Sequence, residues 1–386
     1  TGLILSRPED FATLTREAPV AAHFGDFVMG FPAAVENTEA ALAAGSTAIG
    51  NLGQYFTFRL PYWTDDVATT AATVEAIALA AAQPVEILIH SNLDDGFAAQ
   101  FRDVACALGA VLMETTIVEG LLDGRMSHCY GHTYSDPVTR LAFQRALANV
   151  GTGPGTMVYG NTTIYGPDEA ENFANLAGYL LVDIMAQRTR PTGHGINPVP
   201  VTEAMRIPDI DEIVDAHAFA LRLIERAEGL EPLINGDAAE TLAQRIVEGG
   251  RKFEAAVVSG LTEAGIDVTD PFEMLLALRR TGAKRLEALF GPGRFEPSSD
   301  VRVPVAKSNT LTELEARASE HVAKLGEQKV DRIRAAGLTG CTATTDVHEY
   351  GKVLVEAVLN ACGVRVSDSG VSVDADRLVE RALESG

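Results

Sequence analysis

The feature that most constrains this sequence is an alternation. Over the first two hundred residues short apolar runs recur, and most are separated by Ala-rich segments with helical spacing. The runs are "GLILS", "PVAAHF", "STAIGNL", "PVEILIHS", "AVLMETT", "MSHCYGHTY", "GTMVYGNTT" and, less regularly, "TGHGINPVP". The intervening segments include "TTAATVEAIALAAA" and "DPVTRLAFQRALANV". Apolar strands alternating with helices predict βα units and a parallel sheet. Seven or eight such units suit an α/β fold of the (β/α)8 TIM-like barrel type over residues 1–200 better than a five-stranded sheet. An open doubly wound sheet is the alternative.

Polar residues follow or close these runs: His23, Asn51, His90, Glu114, His128, His132, Asn161 and His194. A barrel of this kind carries its chemistry at the C-terminal ends of its strands. A single histidine at such a place is ordinarily a hydrogen-bonded wall residue, so the concentration carries more than any member.

Residues 201–295 read as a helical extension of the barrel, with amphipathic spacing in "DIDEIVDAHAFALRLIERAEGL" and "PFEMLLALRRTGAKRLEALFG". "GPGRFEPSSDVRVP" has boundary composition. Residues 296–336 are then a linker, whose "TLTELEARASEHVAKLGEQKVDRIRAAG" predicts one charged, solvated helix. Residues 337–386 carry a final βαβα pattern.

Net charge is −22, from 31 basic and 53 acidic residues. Such a surface repels phosphate backbones and anionic lipid, which argues against nucleic acid and membrane as partners. The four cysteines form no C-x-x-C pair and no zinc spacing, as expected of a reduced cytoplasm. With no export signal and no eighteen-residue apolar run expected, a cytoplasmic location follows. The start at Thr1 and the end at Gly386 suggest a processed or partial chain.

One segment bears on chemistry. In "TTDVHEYGKVLVEAVLNACGVRVSDSGVSV", Asp346, His348 and Gly351 fall in a loop between a short strand and an apolar helix. Gly351 leaves room at the helix start. His348 projects as a nitrogen ligand, and Asp346 is near enough to fix its tautomer and raise its basicity. An ordinary flavodoxin-like βα loop with an incidental histidine is the plainer reading.

This segment resembles the cobalamin-binding domain of B12-dependent mutases and methionine synthase, through D-x-H-x-x-G, the helix, the glycine and the second strand. The resemblance implies that His348 is the lower axial ligand to cobalt, with Asp346 and Gly351 supporting it. The strand "GCTATT" is more polar than that family shows, and the later S-x-L and Gly-Gly segments are absent, so the domain is a partial, flavodoxin-like (Rossmann) one. The front region is similar to the barrel subunits of adenosylcobalamin mutases. "TGHGINPVPVTEAMRIPDIDEIVDAHAFALRLI" resembles the end of the glutamate (methylaspartate) mutase barrel subunit. "LGQYFTFRLPYW" and "CYGHTYSD" resemble the large subunit of lysine 5,6- and ornithine aminomutases.

Those aminomutases hold pyridoxal phosphate on a lysine just before the closing glycine of the helix. Here that position is Cys362, whose thiol forms no imine, and Lys352 stands at the other end. No pyridoxal phosphate is therefore expected. The resemblance implies an isomerase: an adenosylcobalamin-dependent radical carbon-skeleton mutase acting on a small amino acid or carboxylate, by a glutamate mutase-like 1,2-rearrangement. The glutamate family's "R-H-G-T-P-D" strand is missing, so glutamate itself does not follow. Arg59 is the candidate for binding a substrate carboxylate. His132 and Glu114 are candidates for polar contacts to substrate or adenosyl ribose, and His194 and Asn197 for contacts to the corrin. The alternatives are an aminomutase-like isomerase, a corrinoid methyltransferase, and a non-enzymatic cobalamin carrier. The superfamily's habits allow a homodimer or a second small subunit.

Overall fold

The computed structural model describes residues 6–17, 23, 29–56, 59–60, 62–93, 101–151, 153–161, 164–297, 301–345 and 349–384, with the backbone only at Leu233 and Val301. They form a mixed α/β fold that is predominantly helical. Of the runs "GLILS" and "PVAAHF", all but Ser6 and His23 lie outside the described residues.

In chain order, α1 (Pro8–Glu17) and α2 (Ala34–Ala43) lead to β1 (Ala48–Ile49) and a 3-10 turn at Leu52–Phe56. Then come α3 (Asp66–Ala81), β2 (Leu88–Asn92), α4 (Val104–Thr115), β3 (Arg125–Cys129), α5 (Pro137–Val150), β4 (Met157–Val158), α6 (Glu169–Thr189) and β5 (Gly195–Ile196). Helices α7 (Ile210–Leu230), α8 (Asp237–Glu263), α9 (Pro271–Thr281) and α10 (Ala283–Phe290) follow. A short antiparallel pair, β6 (Phe295–Glu296) and β7 (Val301–Arg302), precedes α11 (Asn309–Leu325) and α12 (Glu327–Ala335). The chain finishes with β8 (Thr339–Thr342), α13 (Tyr350–Ala361), β9 (Arg365–Asp368) and α14 (Ala375–Glu384), with β8 and β9 parallel.

Aspartates start many of these helices. Asp65, Asp103, Asp136, Asp168 and Asp270 each accept a backbone N–H in the first turn of α3, α4, α5, α6 and α9. Such a carboxylate satisfies donors that the helix leaves orphaned. At 136–137 and 270–271 a proline follows with its φ already set for a helix.

The strands pair in chain order. His23 bridges Ala48 of β1, β1 pairs with β2, β2 with β3, Tyr130 bridges Val158 of β4, and β4 pairs with β5, every contact parallel. One of α2 to α6 lies in each interval. A doubly wound sheet reverses its order at a switch point. No reversal occurs among the described strands.

Two expectations need correction. "AVLMETT", expected as a strand, is helix: it closes α4 and enters a π-helical turn at Thr116–Leu121. Helix α4 is buried on nearly every face, and a short apolar run cannot by itself distinguish a buried helix from a strand. Val104–Leu121 is also an apolar window of eighteen residues with mean hydropathy 1.6, where none was expected; 67% of it is buried inside the fold. The linker helix expected over 310–337 is two helices. Gly326, at φ +79°, ends α11 and starts α12 in a conformation that costs glycine little.

Helices α8 and α9 share the core of the strand-bearing part: Ile246, Phe253 and Val257 of α8 and Leu275 and Leu278 of α9 are fully buried in it. Helix α8 comes close to α4 because both carry glycine at the crossing. A Cβ on Gly109 would stand 2.7 Å from the Gly250 carbonyl oxygen. A second core cluster joins Leu176, Leu180 and Ile184 of α6 to Ala220 and Ala227 of α7.

One buried ion pair ties the strand ends to the helices. Arg140 of α5 is 1% exposed. Its Nε and Nη2 stand 2.6 and 2.7 Å from the two carboxylate oxygens of Asp183 on α6. Nη1 donates to the Gly131 carbonyl and Nη2 to the Tyr159 carbonyl, both at 2.6 Å. Burial alone would lower the guanidinium's pKa, and Asp183 reverses this and raises it. Arg140→Ala would leave Asp183 as an uncompensated buried charge, at an expected cost of roughly 3–5 kcal/mol. Replacing both residues by leucine should cost less. Urea unfolding of the three proteins checks this order; a double variant less stable than Arg140→Ala would contradict it.

Candidate functional site

A cavity of about 370 Å3 lies where the strand ends, the helical part and the C-terminal segment meet. Leu93, just past β2, and Thr133 and Tyr134, in the loop after β3, form its floor. Phe101, Arg102 and Val104 at the start of α4 and Lys284 and Glu287 of α10 form one side. Leu311 and Leu314 of α11 form another, and Val353 and Glu356 of α13 with Asp368 of β9 cover it. Ligands of open parallel sheets bind past the carboxyl ends of the strands, where this cavity lies.

Charges concentrate around the cover. Lys284 pairs with Glu349 and, at 3.0 Å, with Asp368. Lys352 is nearly buried between Glu349 at 3.0 Å, Glu356 at 3.2 Å and Asp368. Burial alone would depress the Lys352 ammonium, but Asp368 and Glu349 outweigh it and hold its pKa above the usual value. Burial would raise Asp368, yet Lys284 and Lys352 bring it down to about 2. Glu287 accepts the backbone N–H groups of Arg102 at 2.9 Å and Asp103 at 2.8 Å. Its burial pushes the carboxyl up to about 7 against those two bonds. Arg302 spends its guanidinium on the carbonyls of Ala288, Leu289 and Gly293. The exposed Arg102 guanidinium has no hydrogen-bond or ion-pair partner among the described residues.

The residues singled out in the sequence are scattered around this cavity. Asp346 and His348 lie outside the described residues. Gly351 is in the first turn of α13, and a Cβ there would meet nothing within 4 Å. His132 is half-buried beside the cavity-lining Thr133 and Tyr134, its ring 6.2 Å from Tyr159. Arg59 stands 3.5 Å from Asp66 and lines a separate cavity of about 110 Å3 with Trp63, Asp374 and Arg377. Asn197 is half-exposed directly after β5, its N–H donating to the Val158 carbonyl at 3.1 Å.

Glu114 is corrected from strand end to helix. It is fully buried on α4, 3.3 Å from His128 Nε2, and does not line the cavity. His194 is committed internally. Its Nε2 lies 2.9 Å from the His128 carbonyl and so carries the proton, and its Nδ1 accepts from the Thr192 hydroxyl at 2.7 Å. His90 sits in mid-strand, with Nδ1 2.6 Å from Thr156 Oγ1 and Nε2 3.2 Å from Cys129 Sγ.

Arg102, Tyr134, Lys284 and Glu287 were not anticipated as site residues. They come from distant segments, and no local spacing marks them; the one signal is the aspartate cap at Asp103, which fixes Arg102 at the mouth of a helix. Among the described residues no group of three or more His, Cys, Asp or Glu is arranged to hold a metal ion. No family model matches the sequence, and no curated protein matches it significantly.

Burial holds the His194 pKa down to about 4 and that of His90 well below its usual value. Between pH 6.5 and 4 the unfolded chain therefore binds a proton at residue 194 that the folded chain does not. Stability from this group is complete above pH 6.5 and falls as pH drops, by about 1.4 kcal/mol per pH unit. His194→Gln, which can keep one donor and one acceptor, should reduce the slope of stability against pH by about one proton in that window. Urea unfolding at several pH values from 4.5 to 7 reads this, and an unchanged slope would refute it.

Proposed function

We propose that the chain is an isomerase of the adenosylcobalamin-dependent mutase class, acting on a small carboxylate or amino acid. In this reading the chain-ordered parallel strands belong to a (β/α)8-type barrel, and residues 337–386 are the first part of a cobalamin-binding domain. The observation that carries the reading is the position of the 370 Å3 cavity. It opens past β2 and β3, and its cover includes α13, the helix that begins two residues after His348 in the sequence. Soluble composition and an acidic surface support a cytoplasmic setting without nucleic-acid or membrane partners.

The described residues fit the cofactor in two respects. In sequence His348 falls after the carboxyl end of β8, where ligands of such folds bind, and a Cβ on Gly351 would meet nothing within 4 Å. His348, with Asp346 fixing its tautomer, would hold the cobalt, and bound adenosylcobalamin would supply hydrogen-atom abstraction. The chain's own residues would bind, orient and seal. The cavity volume suits the small substrate. Leu93, Phe101, Leu311, Leu314 and Val353 would exclude water from it. Thr133 and Tyr134 offer hydroxyls from the strand ends. Arg102 replaces Arg59 as the proposed carboxylate contact, because it lies in the cavity wall and has its donors to spare.

Pyridoxal phosphate chemistry is disfavoured by the state of Lys352. An ammonium enclosed by three carboxylates is not the free amine an imine requires. A corrinoid methyltransferase would carry a separate helical bundle ahead of its cobalamin domain, whereas α8 and α9 belong to the main core.

Adding adenosylcobalamin to the full chain should displace the vitamin's nucleotide base and give the absorbance of histidine-ligated, base-off cobalt. His348→Ala should lose that spectrum while its circular dichroism stays that of the wild type. A wild-type complex that keeps the nucleotide base bound, or a variant with unaltered uptake, would end this reading.

A further inference from the structure

The cavity of about 110 Å3 at Arg59 has a lining at odds with the acidic character of the chain. Three arginines line it, Arg59 from the strand-bearing part and Arg377 and Arg381 of α14, together with Ser369 and Ser372. One carboxylate, Asp374, is among the described lining residues, and both its oxygens accept the Tyr62 N–H, at 3.1 and 3.0 Å. Arg381 donates to the Ser369 carbonyl. The exposed Arg377 guanidinium has no hydrogen-bond or ion-pair partner among the described residues. More positive charge stands behind the wall. Arg59 Nη2 lies 3.5 Å from the Arg279 carbonyl. Arg279 is 2% exposed, and its Nε and Nη2 have no hydrogen-bond partner among the described residues. Burial, and then the charge of Arg59, bring the Arg279 pKa down to about 10, and Asp66 offsets only part of this. Backbone strain gathers here too. Of the three described non-glycine residues with positive φ, Tyr62 at +59° and Ser372 at +49° both belong to this place. Such strain persists where the surroundings over-determine it, and ligand clamps are one such setting.

We infer that this cavity binds a phosphate group, free or at the end of a small molecule, and that the bound group ties the strand-bearing part to the C-terminal segment. Arginine forks arriving from separate elements suit an anion with oxygens on several sides, whereas a carboxylate presents two oxygens in one plane. Helix α14 begins directly after Asp374, and the start of a helix adds partial positive charge. Size agrees. Sites for drug-sized ligands begin at about 300 Å3, so 110 Å3 takes one small anion rather than a whole nucleotide. A net charge of −22 keeps nucleic acid and anionic lipid away from the surface, which leaves a small diffusible phosphate compound as the ligand. The described residues lining this cavity are all different from those lining the 370 Å3 cavity, and the inference holds with or without cobalamin.

Calorimetric titration of the full chain with inorganic phosphate, at constant ionic strength, should show saturable binding at a single site. Acetate should not compete. Arg377→Gln removes a guanidinium that the fold itself does not use. Its circular dichroism should match the wild type while phosphate binding weakens about tenfold or more. Arg377→Lys, which keeps the charge without the fork, should lose less. Bound phosphate should slow amide exchange both around Arg59 and at residues 369–377. Glycerol 3-phosphate binding more tightly than inorganic phosphate would support the site and assign it to a phosphate monoester; equal or weaker binding would support it and assign it to the free ion. No saturable binding at millimolar phosphate, equal affinity for acetate, unaltered binding by Arg377→Gln, or loss of binding on Arg102→Gln instead would overturn the inference.

Discussion

The Arg140–Asp183 pair is the constraint on which the rest of the structure leans. An arginine at the heart of a fold is tolerated only when all its donors are engaged, and here one guanidinium serves a carboxylate on α6 and the carbonyls of Gly131 and Tyr159. Those carbonyls belong to the chain just past β3 and β4. The pair therefore fixes where the backbone goes after leaving the sheet. The cavity floor, Thr133 and Tyr134, is the next piece of chain after Gly131. A buried charge pair that adds little net stability against an apolar substitute still sets the shape of the place where a ligand would sit.

The cover is held on by a different physics. Helix α13 lies against α11, and a charge cluster joins it to α10: Lys284 and Lys352 share Glu349 and Asp368, and Lys352 also pairs with Glu356. Lys352 lies within the C-terminal segment and is nearly buried, so it organises that segment internally. Lys284 reaches across from α10 and is half-exposed, so its contacts are screened by salt and individually weak. In the proposed function, such a cover would admit a ligand and then exclude water.

Much of the architecture was legible in the sequence, because it rests on local rules. The alternation of apolar runs with Ala-rich segments marks β1 to β5 and their helices, and the segment around the D-x-H-x-x-G loop reads directly as β8, α13 and β9. The failures have two causes, a helix without a stripe and partners distant in sequence. "AVLMETT" sits in a helix apolar on every face, so no stripe betrays it, and Glu114 moved with it from a strand end to the interior. His194 and His90 look like site histidines in one dimension, but their partners Thr192, Thr156, Cys129 and the His128 carbonyl are supplied by the fold. Arg102, Lys284 and Glu287 meet only because Glu287 of α10 accepts the N–H groups of Arg102 and Asp103 ahead of α4, and Lys284 finds Glu349 across 65 residues. Pairings of that range have no signature in spacing.

The central claim is that one ligand is held between two parts of the molecule, the strand ends and the C-terminal segment. Hydrogen exchange of the full chain with and without adenosylcobalamin tests it most directly. The expected result is slowed exchange in both residues 129–134 and residues 349–361. Slowing confined to the C-terminal residues, or absent from both, would contradict it.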